Sequence, residues 1–173
     1  MSDPKDKTEQ SKQAEAYSTM LQRVRHGLEE IEDDVGLKFH YAVDAAKEKA
    51  YELGELSREE ADVVGDYLKR DVHDAAEYLS KEGKEFSDWL KFDVELVEAR
   101  LADVFRHAIN TTTIELQALA ERAAEENIWY MGEVSGPGTF KCADCEHEIQ
   151  MFHIQDLPAC PKCGAAQFHR VSD

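Results

Sequence analysis

From Tyr17 onward the apolar positions recur in steps of three and four: Tyr17, Met20, Leu21, Val24, Leu28, Ile31 and Val35. That period lays them along one side of an α-helix and leaves polar residues on the other. Gly36 loosens the run. A second stripe follows at Phe39, Val43, Ala46, Ala50 and Leu53, and Gly54 stands where a helix can stop, because glycine takes the left-handed conformation freely. Ser57-Arg58-Glu59-Glu60 reads as a capping box, in which the Ser57 hydroxyl accepts from the Glu60 N–H and the Glu60 carboxylate accepts from the Ser57 N–H. The stripe Val64, Leu68, Val72, Ala75 and Leu79, stopped by Gly83, predicts one helix from Ser57 to Glu82, about 39 Å long. Phe86, Leu90, Val94, Val97, Leu101, Val104 and Ala108 predict a fourth helix. Thr112 and Glu115 open a short fifth through Leu116, Leu119 and Ala123. The first 13 residues are polar and are expected to be disordered.

Near residue 128 the pattern changes. Trp129-Tyr130-Met131, Thr139-Phe140-Lys141, Glu148 to Ile154 and Gln167 to Val171 read as short strands, with Gly136-Pro137-Gly138 as a turn. The expected division is therefore a disordered 1–13, a helical domain over 14–128 and a small β module over 129–173. The fold class is mainly α, an antiparallel helical hairpin or elongated bundle followed by that module.

The β module holds all four cysteines, Cys142, Cys145, Cys160 and Cys163, in two Cys-x2-Cys turns. Each turn aims two sulfurs at one point. Two facing turns supply a tetrahedron of thiolates, which suits one Zn²⁺ per chain, with iron in a rubredoxin-like site as the rival. Gly164 follows the second turn and can take positive φ. Glu146 follows the first and makes that turn the less regular one. A pair of disulfides would need an oxidising compartment, and no apolar leader suggests export. His147, His153 and His169 are not needed as ligands once four cysteines are present. About 45 residues with short strands cannot hold themselves together, so the metal supplies much of the folding free energy, on the order of 10–16 kcal/mol in zinc-finger peptides. The helical stripes lie outside this site, so the two parts are expected to be separable near residue 128.

Charge narrows the function. The 173 residues carry a formal charge of −17, and the mean hydropathy is −0.58. Up to residue 128 there are 17 basic and 31 acidic residues, and beyond it three and six, so the helical part carries −14 and the ribbon −3. Such a surface repels phosphate backbones. Only Lys141, Lys162 and Arg170 are basic in the ribbon, too few for a reader of nucleic acid in transcription. No stretch is apolar enough to span a membrane.

The residues also carry a resemblance. Leu53-Gly54-Glu55-Leu56-Ser57-Arg58-Glu59-Glu60 followed by Lys69-Arg70-Asp71-Val72, then Tyr130-Met131-Gly132-Glu133-Val134, Gly136, Gly138, the two cysteine turns and Phe168, resemble the YbeL-like zinc-ribbon proteins over roughly residues 17–171. The resemblance implies a bacterial cytoplasmic protein with a helical N-terminal region and a C-terminal zinc ribbon. It supplies architecture and metal rather than a mechanism.

The leading expectation is a non-enzymatic zinc-binding adaptor whose acidic helices form a platform for a protein partner, a basic one by charge, or for a homo-oligomer. Trp129, Tyr130, Phe140 and Phe152 either build a contact surface or cover the thin ribbon core. The alternative of a rubrerythrin-like iron redox protein requires Glu-x-x-His pairs. Three residues before His26, His40, His73 and His107 stand Arg23, Leu37, Arg70 and Val104, none of them acidic. Gly-x-Ser-x-Gly, His-Glu-x-x-His and phosphate loops are missing from the sequence. Four cysteines also close the coordination position that a catalytic zinc keeps open, so no enzyme is expected.

Overall fold

A computed structural model describes residues 4–30, 38–79, 84–99, 101–106 and 128–171. Helix α1 spans Pro4–Glu30, α2 Lys38–Glu52 and α3 Arg58–Leu79. Helix α1 begins well inside the stretch expected to be disordered. Proline suits a helix start, where its missing N–H would be unpaired anyway and its fixed φ is already helical. The stripes predicted for α1, α2 and α3 become the core: Tyr17, Met20, Leu21, Val24, Phe39, Val43, Ala46, Val64, Leu68 and Val72 are all buried. Gly54 adopts φ 68°, and the Glu55 N–H returns to the Ala50 carbonyl, closing α2. The capping box is present at the start of α3, with Glu60 N donating to Ser57 Oγ at 3.1 Å and Ser57 N donating to Glu60 Oε2 at 2.7 Å.

Cross-helix contacts fix the directions. Gly27 faces Ala42 across α1 and α2. Lys47 pairs with Asp62, and Phe39 meets His73, across α2 and α3. Tyr17 reaches Asp71, and Lys12 reaches Glu60, from α1 to α3. The layer therefore runs up, down and up, with α2 antiparallel to both neighbours. Ile31, Val35, Gly36 and Gly83 lie outside the described residues, as do Ala108 and the proposed fifth helix from Thr112 to Ala123.

The fourth helix is not continuous. Helix α4 covers only Phe86–Leu90 and ends at Lys91, whose φ of 62° is left-handed. Asp93 then caps a 3₁₀ turn over Val94–Leu96, accepting from Glu95 N at 3.0 Å. Residues 101–106 are helical again. The stripe marked burial correctly, since Phe86, Leu90, Val97 and Val104 are buried. It did not register that Lys91 and Asp93 bend the chain twice, which turns Trp89 and Phe105 onto each other, 5.7 Å apart and stacked.

Residues 128–171 form six strands: β1 Ile128–Tyr130, β2 Val134–Ser135, β3 Gly138–Cys142, β4 Glu148–Met151, β5 Gln155–Asp156 and β6 Gln167–Arg170. Four form an antiparallel sheet in the order β1-β6-β3-β4, and β2 pairs with β5. The ribbon has its own core of Trp129, Phe140, Cys142, Met151, Leu157, Cys160 and Phe168. Trp129 and Phe140 therefore fill that core rather than a contact surface. Phe152 packs edge-on against Phe92, and Tyr130 is exposed. Strand β1 starts at Ile128, but the strands do not pack apart from the helices. Val134 belongs to the helical core and Ile154 packs against it.

Candidate metal centre and its link to the helices

Both cysteine turns use the same local geometry. In the first, Glu146 N donates to the Cys142 carbonyl at 3.0 Å, and Glu146 takes φ 58°. In the second, Gly164 N donates to the Cys160 carbonyl at 2.8 Å, and Gly164 takes φ 77°. The first turn is thus as regular as the second, a correction to the sequence reading. Its left-handed conformation falls on a residue with a side chain, which is strained by roughly 1–2 kcal/mol relative to glycine.

The turns bring the four sulfurs within 4.8 Å of one another. Cys142 Sγ lies 3.6 Å from Cys163 Sγ, and Cys145 Sγ lies 3.6 Å from Cys160 Sγ. A disulfide would need about 2.05 Å. A tetrahedral shell with Zn–S bonds of about 2.3 Å has sulfur–sulfur edges of roughly 3.8 Å, so the spacing fits a metal. The thiol chemistry fits too. Burial pushes the Cys160 thiol up, but the N–H groups of Cys163 and Lys162 and the adjacent thiols bring it down to about 6. Cys163 is drawn down by the Ala165 N–H, yet the neighbouring thiols push it up to about 12. Four thiols in one shell resist joint ionisation. A divalent cation removes that conflict by holding all four as thiolates. Among the described residues, this is the one cluster of three or more His, Cys, Asp or Glu side chains whose ligand atoms converge. His26 and His40 instead lie 3.3 Å and 3.2 Å from Glu30 and Asp44, on exposed helix faces.

A second constellation went unread in the sequence. Asp71 of α3 is fully buried. Its carboxylate accepts from Tyr17 at 2.6 Å, Trp129 Nε1 at 3.1 Å, Ser135 Oγ at 3.1 Å, Gly136 N at 2.8 Å and Arg170 Nη2 at 3.4 Å. Burial, and then the Asp71 charge, hold the Tyr17 phenol well above its ordinary value, so it stays a donor. Arg170 lies against Trp89, Trp129 and Phe140 at 4.2, 5.4 and 4.5 Å from their ring centres. Its Nη1 donates to the Pro137 carbonyl at 2.9 Å, and its Nε lies 3.3 Å from Asp74. Burial raises the Asp74 carboxyl, an effect that the Arg170 charge and the Trp89 indole N–H partly offset. Arg170 was counted among the basic residues open to phosphate, and its burial withdraws it. The signals were there in the sequence. Asp71 falls three residues after Leu68 on the buried stripe, and Arg170 falls two after Phe168 on the buried face of β6.

Among the described residues, no helix is long and apolar enough to cross a membrane. The zinc-ribbon containing domain family matches residues 25–172. The uncharacterized protein YbeL of Escherichia coli strain K12 is 27% identical over 158 residues, covering 90% of this chain and 91% of the relative. YbeL of two further Escherichia coli strains matches to the same extent. No solved structure matches. With two cysteine turns closing one four-sulfur shell behind a helical layer, and a family match over most of its length, the chain belongs to the family of zinc-ribbon containing domains.

Proposed function

We propose that this protein is a non-enzymatic zinc-binding adaptor of the cytoplasm, in which the metal organises the ribbon and the acidic helices receive a protein partner. The observation that carries the reading is the closed four-sulfur shell. Four protein ligands leave zinc no open position for a water or substrate, which is the arrangement of structural sites. Reduced thiols 3.6 Å apart suit a reducing compartment. The platform is supported by a groove of about 350 Å³ between α1 and Glu98, Leu101 and Val104. Leu21, Leu101, Val104 and Ile154 give it an apolar lining, and Glu15 and Glu98 lend it negative charge. A basic segment with one apolar anchor matches that chemistry.

Metal analysis of protein purified without added metal tests the first half. One zinc per chain in a colourless solution supports the reading, whereas a red protein with one iron makes it a rubredoxin-like redox centre. The second half is tested by the association rate of a captured partner against salt. Steering by exposed charge is screened over roughly 8 Å at physiological ionic strength, so the rate should fall as salt rises. A flat response assigns the charge to solubility alone. A DNA mobility shift abolished by neutralising Lys141 and Lys162 would replace the adaptor with a nucleic-acid reader.

A further inference from the structure

Among the described residues, four of the five groups that donate to Asp71 come from the ribbon, although Asp71 itself sits in the middle of α3. The fifth, Tyr17, belongs to the helices. Arg70, the other cation nearby on α3, has Nε 3.8 Å from Asp71, while its Nη1 donates to Glu133 of the ribbon. A buried carboxylate is tolerated only while its donors are in place. The helical layer therefore contains a charge whose solvation is supplied almost wholly by another part of the chain.

Those donors are in turn held by the metal site. Cys142 is the last residue of β3 and pairs in register with Phe168 of β6. Two residues back along β3, Phe140 pairs with Arg170. Thr139, the residue before Phe140, donates to the Leu90 carbonyl of α4 at 2.7 Å. The β3–β6 register that seats one metal ligand also seats Arg170 against Asp71. Gly138 leaves no slack in this arrangement, because a Cβ there would lie 1.8 Å from Arg170 Nη1.

We infer that metal occupancy of the ribbon is coupled to the packing of α1 against α3 through Asp71, so that the helices report whether the four-cysteine site is filled. This rests on the zinc reading above. Without metal, seven buried residues do not hold the strands, and Trp129, Ser135, Gly136 and Arg170 leave the carboxylate. Of its described donors Asp71 keeps Tyr17 alone, and it must turn toward water, which parts α3 from α1. Reciprocity requires that weakening the Asp71 cluster also weakens metal binding.

The test uses the full chain, with zinc as the probe. Hydrogen exchange is followed over residues 61–78 before and after a chelator strips the metal. Zinc affinity is measured by competition with a chromophoric chelator. Stripping should speed exchange over 61–78 by more than over 38–50. Asp71→Asn should weaken zinc by about fivefold or more, the lower end of typical couplings between sites. Ser135→Ala removes a single hydroxyl, keeps the charge and the fold, and should weaken zinc in the same direction by less; it decides the matter if Asp71→Asn does not fold. Unchanged exchange over 61–78 on stripping, or wild-type zinc affinity in the folded variants, would overturn the coupling and leave the zinc site standing. A wild-type chain that takes up no zinc overturns both.

Discussion

Helix α3 buries nine of its 22 residues along a single stripe. The ribbon's own core has seven buried residues, and two of them are cysteines. The first region draws its stability from apolar area removed from water, about 25 cal/mol per Å², and among the described residues holds no metal-ligating cluster of its own. The second has too little of that area and relies on a metal to close it. Regions stabilised so differently would be expected to behave as separate units. They do not pack as separate units, because each contributes to the other's interior. The ribbon places Val134 in the helical core, and α3 places Asp71 under the ribbon.

The largest effect should come from removing a ligand. Cys160→Ser should abolish tight zinc binding and with it most of the roughly 10–16 kcal/mol that such sites contribute. Near-ultraviolet circular dichroism of Trp129 should flatten, while far-ultraviolet helix signal falls only in part. Retention of one tightly held zinc would remove the four-cysteine assignment. Next comes the junction. Asp71→Ala takes the buried acceptor from Tyr17, Trp129, Ser135 and Gly136 and leaves Arg170 with Asp74 as its remaining carboxylate, and should cost about 3–5 kcal/mol in denaturant unfolding of the zinc-loaded protein. A loss within 1 kcal/mol would mean that the two regions are independent after all.

The helical layer alone is probed by Leu68→Ala, at a fully buried position one turn before Asp71. It should cost about 2–5 kcal/mol through lost burial and a cavity. Unlike Asp71→Ala, it should leave zinc affinity in the folded state close to wild type. A large drop in affinity would show that packing, rather than the Asp71 cluster, carries the link. The smallest expected effect is a gain. Glu146→Gly relieves a left-handed residue in the first cysteine turn and should stabilise the zinc-loaded protein by about 0.5–1 kcal/mol, after the larger unfolded-state entropy of glycine is set against it. A loss would mean that the Glu146 side chain, 3.8 Å from Lys141, matters more than its backbone.

Much of the fold and the metal site follows from local pattern. Ser57 and Glu60 are three residues apart and find each other. Gly54 stops α2, and the spacing of the four cysteines determines their meeting. Such features depend on neighbours in sequence, so periodicity and turn chemistry reveal them. The fourth helix failed for the opposite reason. Phe86 to Val104 keeps helical spacing, but the chain bends at Lys91 and Asp93 and brings Trp89 against Phe105, a contact between residues 16 apart that periodicity does not reveal. Asp71 was illegible as a partner because its donors lie 54 to 99 residues away in sequence. Its place on an apolar stripe marked it as buried, but only the fold names what it touches.

Strand β6 carries Phe168 and Arg170 on its buried face and Gln167 and His169 on the other. One of the inward pair fills the metal-side core and the next reaches the helices. Strand side chains alternate strictly, so adding or deleting one residue between Gly164 and Gln167 would rotate both out together and bring Gln167 and His169 in. The chain is therefore intolerant of length change at that point in a way no single substitution reproduces. A one-codon insertion there would disconnect the metal and the helices in a single step.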